Sequence, residues 1–223
     1  MRYLASIGVM HRLWYVAYGT NLSSARFRLY LQGGRPAKGA RHHPGSRNPL
    51  APKRDVSLMI PGGIRFVGES SIWGGGMAIY DARADGEVAA RAYLITAEQF
   101  VDILAQEMRR EPGLHIDLTP VQETGWHSFG PGRYQTLGHL GIRDDFPMLT
   151  FTSADVDEHP LTPPSEGYLR TMARGLHESH GWTSGQIGAY LARFPGAAGA
   201  WRPESIENLC LSQIQPTLAA RSS

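Results

Sequence analysis

The stretch Leu13–Asn21, with the sequence LWYVAYGTN, restricts the fold more than any other part of the chain. Its first six residues are aromatic or aliphatic and favour a β-strand. The glycine and asparagine that follow are typical of a tight turn. The stretch therefore predicts a short buried strand, Leu13–Tyr18, that ends in a turn at Gly19, Thr20 and Asn21.

Two interpretations of the turn Tyr18-Gly19-Thr20-Asn21 stay open at this point. It is either an ordinary turn or a nest, in which a glycine directly after a strand lets several backbone N–H groups converge. A nest binds an anion, or a carbonyl oxygen that becomes negative during a reaction.

Composition places the chain among ordinary globular proteins. It has 223 residues, 42% of them hydrophobic and 19% charged, and a formal net charge of +2. This balance requires neither a nucleic-acid nor a membrane partner, and the oligomeric state stays open. The single cysteine, Cys210, excludes an internal disulfide framework and favours a reducing, cytoplasmic location. We expect an extension at 1–10, one domain at 11–210 and a frayed tail at 211–223.

The remaining patterns predict a mixed α+β protein. Closely spaced β-prone runs at 56–60, 64–67, 76–80 and 88–95, separated by turn residues, indicate antiparallel meanders or a small barrel. A capping box at Thr96 and Gln99 predicts a helix over 96–110. In the last third of the chain, Ser165 is a candidate cap for a helix over 166–177, and Thr183 with Gln186 forms a second capping box for a helix over 186–194. The basic segment 33–55 lacks interleaved aromatic residues, so a solvated loop is favoured over a nucleic-acid patch.

Glu107 is the candidate for acid–base chemistry. On the predicted helix it follows Phe100, Ile103 and Leu104 on the apolar face. Burial there disfavours the charged form and raises the pKa of a carboxyl group toward the range of a proton shuttle. The alternative is a boundary glutamate that pairs with a neighbouring arginine.

Trp73-Gly74-Gly75-Gly76 is the other motif of interest. It lacks the lysine and the spacing of a phosphate-binding loop, so it indicates either a flexible hairpin turn or a place where two backbones approach closely. His177 and His180 are three residues apart without an obvious third ligand, so we expect no metal site.

Four segments in order resemble the γ-glutamylcyclotransferase-like family. The segment 15–22, YVAYGTNL, is similar to the family's (Y/F)FAYGSN(L/M) signature, and 73–80, WGGGMAIY, to its W-x-G-G-x-A strand. The segment 88–107 is similar to the strand and helix that precede the family's acidic residue, and 163–168, PPSEGY, to its PPS-x-x-Y element. Thr20 replaces the usual serine, and Met108 replaces a glycine.

The resemblance implies a small, mostly antiparallel β-barrel flanked by helices. It implies Glu107 as the general acid/base, a substrate-binding turn at Tyr18, Gly19, Thr20 and Asn21, and Tyr168 as a pocket residue that orients Glu107. Trp73 and Gly75 are further candidates for the pocket lining.

The implied activity is cleavage of a γ-glutamyl amide into 5-oxoproline and a free amine, without a cofactor. Two alternatives stay open: processing of a γ-glutamyl-protected biosynthetic intermediate, and a non-catalytic binding module on the same fold.

Overall fold

The computed structural model describes residues 11–36 and 42–214 and shows a mixed α+β protein. The strands are β1 (Arg12–Ala17), β2 (Arg54–Pro61), β3 (Gly63–Val67), β4 (Met77–Asp81), β5 (Glu87–Thr96), β6 (Trp126–Ser128), β7 (Thr136–Arg143) and β8 (Phe146–Thr152). The helices are α1 (Ser24–Gln32), α2 (Ala97–Glu107), α3 (Thr119–Thr124), α4 (Glu166–His180), α5 (Ser184–Ala192) and α6 (Pro203–Ile214).

Six strands form one sheet in the order β2-β5-β1-β8-β7-β6, and β3 pairs with β4 in a second sheet. The pairs are antiparallel except for β1 and β8, which are parallel. The predicted antiparallel character is thus correct. A closed barrel is not found in the described part of the chain, where the sheets remain two separate sets of strands.

Strand β1 has apolar side chains on both of its faces, which explains why helices cover both faces of the large sheet. Trp14 and Val16 pack into a core formed with α4, α5 and α6. Leu13 and Tyr15 point the opposite way, into a core formed with α1 and α2. Successive residues of a strand face opposite sides, so an apolar strand with no polar alternation has to be buried on both. The sequence LWYVAY meets that condition.

Three helix starts have the caps that the sequence predicts. Thr96 with Gln99, and Thr183 with Gln186, form complete capping boxes, and the Ser165 side chain accepts from the Tyr168 N–H. Helix α2 ends at Glu107 rather than at the expected Arg110. Helix α6 continues through Ile214, past the expected start of a frayed tail at 211. The expected extension at 1–10 and the last part of the tail lie outside the described residues.

The second half of the basic segment is a loop with many exposed residues, as expected, but residues 42–50 are also anchored to α2. The fully buried Asp102 accepts hydrogen bonds from the Arg47 backbone N–H at 2.9 Å and from the Arg47 side chain. Gln99 donates to the carbonyl oxygens of Asn48 and Leu50. This attachment holds residues 42–44 beside the end of α2. None of the described helices has both the length and the apolar character needed to cross a bilayer.

Candidate active site

A cavity of about 430 Å³ lies where the end of β1, helix α1 and the end of α2 meet. Its lining is drawn from several parts of the chain between Tyr15 and Tyr168. Besides single positions, the lining includes residues 18–21, Arg26 and Tyr30, 42–44, 70–73, 106–110, 132–135 and Tyr168. The cavity therefore brings together Glu107, the predicted substrate-binding turn and Tyr168.

The turn after β1 forms one wall of the cavity. Thr20–Leu22 is a single 3₁₀ turn, closed by a 3.0 Å hydrogen bond from the Leu22 N–H to the Gly19 carbonyl. The first N–H groups of such a turn have no acceptor within it, which leaves them available to a ligand. A Cβ atom at Gly19 would lie 3.3 Å from the Tyr168 hydroxyl, so a glycine here lets the turn approach Tyr168 closely.

Asn21 has an unusual environment on this wall. Its Nδ2 group donates to the Tyr15 hydroxyl at 3.1 Å, while its Oδ1 atom is buried and has no hydrogen-bond partner among the described residues. A buried polar atom without a partner is costly and indicates a missing donor. Asn21 can therefore accept a hydrogen bond from a ligand in the cavity.

Glu107 is the last residue of α2 and is partly buried against the cavity. The Tyr30 hydroxyl donates a hydrogen bond to its Oε1 atom. Burial raises the pKa of the Glu107 carboxyl above its ordinary value of 4.5, and the Tyr30 hydrogen bond and the charge of Arg26 oppose this effect. The C-terminal end of a helix also disfavours a negative charge. The site thus makes Glu107 easier to protonate than an exposed glutamate.

Arg26 and Tyr30 lie one helical turn apart on α1 and form a cluster with His43. Arg26 Nη2 donates to the Tyr30 hydroxyl at 3.3 Å, and its Nη1 lies 2.8 Å from His43 Nε2. Burial raises the pKa of Tyr30, so this hydroxyl stays protonated and acts as a donor to Glu107. Arg26 is 6% exposed, and its Nε atom is buried without a hydrogen-bond partner among the residues that the structure describes.

Tyr168 lines the cavity as predicted, but the tyrosine that holds Glu107 is a different one. The Tyr168 hydroxyl accepts from the Ala78 N–H at 2.9 Å, whereas Tyr30 makes the hydrogen bond to Glu107. The expected Tyr168–Glu107 hydrogen bond is therefore replaced by one from α1. Tyr18 also lines the cavity, and its hydroxyl donates to the Phe151 carbonyl at 2.8 Å.

The two pocket candidates from the glycine motif, Trp73 and Gly75, have different positions. Trp73 lines the cavity, whereas Gly75 is not part of the lining. Gly75 has a φ of 63° and pairs with Pro164, and a Cβ atom there would lie 2.6 Å from the Pro163 carbonyl oxygen. Its role is close backbone approach, one of the two interpretations of the motif.

Sequence reasoning missed Arg26, Tyr30 and His43. Arg26 and Tyr30 have the i, i+4 spacing that places two side chains on one helix face, and this was the available signal. His43 had none, since nothing local shows that residues 42–50 pack on α2. No group of three or more His, Cys, Asp or Glu side chains is arranged to hold a metal ion within 11–36 and 42–214.

Comparison with known proteins gives one curated relative and several structural neighbours. No protein-family model matches the chain. Histone deacetylase 5 of Arabidopsis thaliana is 31% identical over 202 residues, a match that covers 80% of this chain and 30% of that protein. The chain thus spans less than a third of the length of this relative.

The structural neighbours share the fold at low sequence identity. Uncharacterized protein loc79017 from Homo sapiens has a TM-score of 0.51 and 17% identity, over 90% of this chain and 99% of that chain. A gamma-glutamyl cyclotransferase has a TM-score of 0.49 and 16% identity, with the same coverage. At such identities the likeness concerns the fold alone. The first of these neighbours, with a TM-score above 0.5, has the same fold over 90% of this chain, and this agrees with the resemblance to the γ-glutamylcyclotransferase-like family seen in the sequence.

Proposed function

We propose that this protein is a γ-glutamylcyclotransferase-like enzyme that cleaves a γ-glutamyl amide into 5-oxoproline and a free amine. One observation supports the proposal most directly. Glu107, with a raised pKa, shares a cavity with the turn Tyr18–Asn21, whose first N–H groups and Asn21 Oδ1 are available to a ligand. A base and a set of polar partners on one cavity are what this reaction needs.

The reaction requires little chemistry from the protein. The α-amine of the glutamyl unit attacks its own side-chain carbonyl carbon, a new C–N bond closes the five-membered ring, and the original amide C–N bond breaks. Because the nucleophile is tethered to its target, correct positioning contributes about 7–11 kcal/mol. The protein has to fold the substrate into a ring-like conformation and move protons from the α-nitrogen to the leaving nitrogen.

Glu107 performs the proton transfer in this proposal. It takes a proton from the α-ammonium group and delivers it to the leaving nitrogen as the amide C–N bond breaks. The second proton that the α-nitrogen loses on becoming the lactam N–H is also passed to the released amine, which leaves as an ammonium ion, and Glu107 returns to its starting state. A single carboxyl group serves both steps when its pKa lies near the working pH. The N–H groups of the turn stabilise the negative oxygen or hold the substrate carboxylate. The mechanism uses no cofactor.

The decisive experiment measures 5-oxoproline release from a panel of γ-glutamyl amides. We expect the wild type to release it and Glu107→Gln to lose about 10²–10⁴-fold in kcat/KM. Glu123→Gln is the matched control, because Glu123 is exposed on α3 and lies outside the cavity lining. Equal rates for the wild type and Glu107→Gln would refute the role of Glu107. Binding without turnover would instead favour a non-catalytic binding module. Turnover of bulky amides alone would favour a protected biosynthetic intermediate as substrate.

We further propose a cytoplasmic location, which the single buried Cys210 supports.

A further inference from the structure

The charged groups around the cavity are strongly unbalanced. Four arginines line it, Arg26, Arg109, Arg110 and Arg133, together with His42 and His43. Among the described residues of the lining, Glu107 is the only carboxylate. Glu107 is hydrogen-bonded to Tyr30, beside the buried Arg26, so its charge is not paired with the outer arginines. The cavity as a whole attracts an anion.

The arginines fall into an inner and an outer group. Arg26 is almost fully buried beside Tyr30 and His43, and its Nε atom is unpartnered within the described part of the chain. Arg109 and Arg110 are exposed, and Arg133 is partly exposed. The outer group therefore lies at the mouth. In the proposed reaction the glutamyl unit lies next to Glu107, at the inner end, so the leaving amine extends toward the mouth.

Arg109 holds its position at a cost to the backbone. Helix α2 ends in a Schellman motif, with hydrogen bonds from the Arg109 N–H to the Gln106 carbonyl and from the Arg110 N–H to the Ala105 carbonyl. The left-handed residue of this motif is normally glycine. Here it is Arg109, with a φ of 58°. A strained, charged residue at the edge of a cavity is a sign of function at that position.

The guanidinium group of Arg133 packs directly against the backbone of Gly68. Gly68 has a φ of 60°, and a Cβ atom there would lie 2.1 Å from Nη1 of Arg133. A side chain at 68 would displace this guanidinium group. None of the three outer arginines forms an ion pair with a carboxylate in the described part of the chain. Their charges are thus available to a ligand at the mouth.

We propose that the mouth arginines Arg109, Arg110 and Arg133 select a γ-glutamyl amide whose leaving amine carries at least two negative charges. The inference rests on the proposed function, since it assigns the inner end of the cavity to the glutamyl unit. Three guanidinium groups exceed what one carboxylate needs, and a planar guanidinium binds a carboxylate through two parallel hydrogen bonds.

The test compares three γ-glutamyl amides that differ in the charge of the leaving amine: glutamate, alanine and propylamine. We expect kcat/KM to fall in that order, by about 10-fold for each carboxylate removed, which corresponds to about 1.4 kcal/mol. Arg133→Gln and Arg109→Gly should reduce the preference for the glutamate amide over the propylamine amide by about 5- to 10-fold. Arg28→Gln is the matched control, since Arg28 is exposed on α1 outside the cavity lining.

A binding measurement separates this inference from the proposed function. The dissociation constants of the same three amides are measured by calorimetry with Glu107→Gln. If the wild type releases 5-oxoproline but shows no charge preference in either assay, the inference is wrong and the proposed function stands. If nothing is cyclised but binding follows the order glutamate, alanine, propylamine, the charge selection stands and the proposed reaction is wrong. Equal or absent binding of all three amides, with no turnover, overturns both.

Discussion

Tyr30 is the residue on which the state of Glu107 most depends. Its hydroxyl is the donor to the carboxylate, and it receives a hydrogen bond from Arg26 at 3.3 Å. Tyr30 does not have to touch the reacting atoms to matter, because the hydrogen bond fixes one oxygen of Glu107 and favours its charged form. We regard Tyr30 as a positioning residue for the proposed reaction.

Tyr30→Phe tests this role. The variant removes a donor to the charged form, so the pKa of Glu107 rises further. The acidic limb of the pH profile of kcat/KM should move to higher pH, and kcat should fall by about 10-fold. Tyr190→Phe is the control: its hydroxyl is also buried and accepts from the Ala89 N–H at 2.8 Å, but it lies outside the cavity lining. A purely structural role would give both variants the same, unshifted pH profile.

The residue scale also shows how far sequence reasoning reaches into the site. Glu107, Trp73, Tyr168 and the turn at 18–21 were identifiable because each lies in a short local pattern. The partners of Glu107 were not, because Arg26 and Tyr30 lie about 80 residues before it and meet it only through packing. The sequence has Met108 where the family has a glycine, and in the structure Met108 has a φ of −76° while Arg109 is the residue in the left-handed conformation.

At the scale of elements, helix α2 has two functions. Its apolar face packs against β1, and its polar side holds residues 42–50 through Asp102, Gln99 and Gln106. Asp102 is fully buried and accepts from the backbone N–H groups of Arg47 and Gly113, both at 2.9 Å. Residues 42–44 can line the cavity because this attachment exists.

Asp102→Ala is expected to loosen the attachment. It leaves two backbone N–H groups without their acceptor and should lower the free energy of unfolding by about 2–4 kcal/mol. Glu98→Ala removes the other carboxylate near Arg47, at 3.3 Å, but Glu98 is about half exposed, so the loss should stay below about 1 kcal/mol. Urea unfolding measures both. Amide hydrogen exchange at 42–50 should be faster in Asp102→Ala and unchanged in Glu98→Ala. Equal losses of unfolding free energy in the two variants would contradict the role of Asp102 in holding residues 42–50.

Most elements were predictable because their signals are local. Strands β2, β3, β4 and β5 lie within a few residues of their predicted positions, and three caps were read correctly from side-chain spacing. Helix α6 was missed although Pro203 opens it and Ile206 and Cys210 have helical spacing. The attachment of 42–50 to α2 could not be predicted from the sequence, since the residues in contact lie about 50 positions apart in the chain.

At the scale of the whole molecule, the buried carboxyl of Glu107 affects stability as well as chemistry. Its pKa is raised in the folded protein, so the folded state retains this proton to a higher pH than the unfolded chain does. The stabilising contribution is fully present below the ordinary value of 4.5. It is lost as the pH rises from there through the folded pKa, because the unfolded state loses its proton first.

Glu107→Gln removes this pH dependence. The difference in unfolding free energy between Glu107→Gln and the wild type should therefore change in favour of the variant as the pH rises above 4.5, and then level off. Urea unfolding over a pH series measures it. Glu123→Gln, at an exposed position outside the cavity lining, is measured over the same pH series as the control. A pH-independent difference for Glu107→Gln would mean that the carboxyl is hydrated in the folded state.

The order of strands in the large sheet was the least predictable feature. Strand β1 lies between β5 and β8, and its parallel partner, β8, begins almost 130 residues later in the chain. Pairing over such a distance leaves no trace in local periodicity, because an apolar strand is compatible with several neighbours. The uninterrupted apolar sequence of β1 indicates that both of its faces are buried, but it does not indicate which strands flank it.

The central place of β1 also matters while the chain is being synthesised. A ribosome adds about 5–20 residues per second, so roughly 7–27 s pass between the emergence of β1 and the completion of β8. During that time the segment LWYVAY is exposed without one of its two neighbours, and apolar segments of this kind attract chaperones or aggregate. Premature termination before β8 should accordingly yield insoluble fragments.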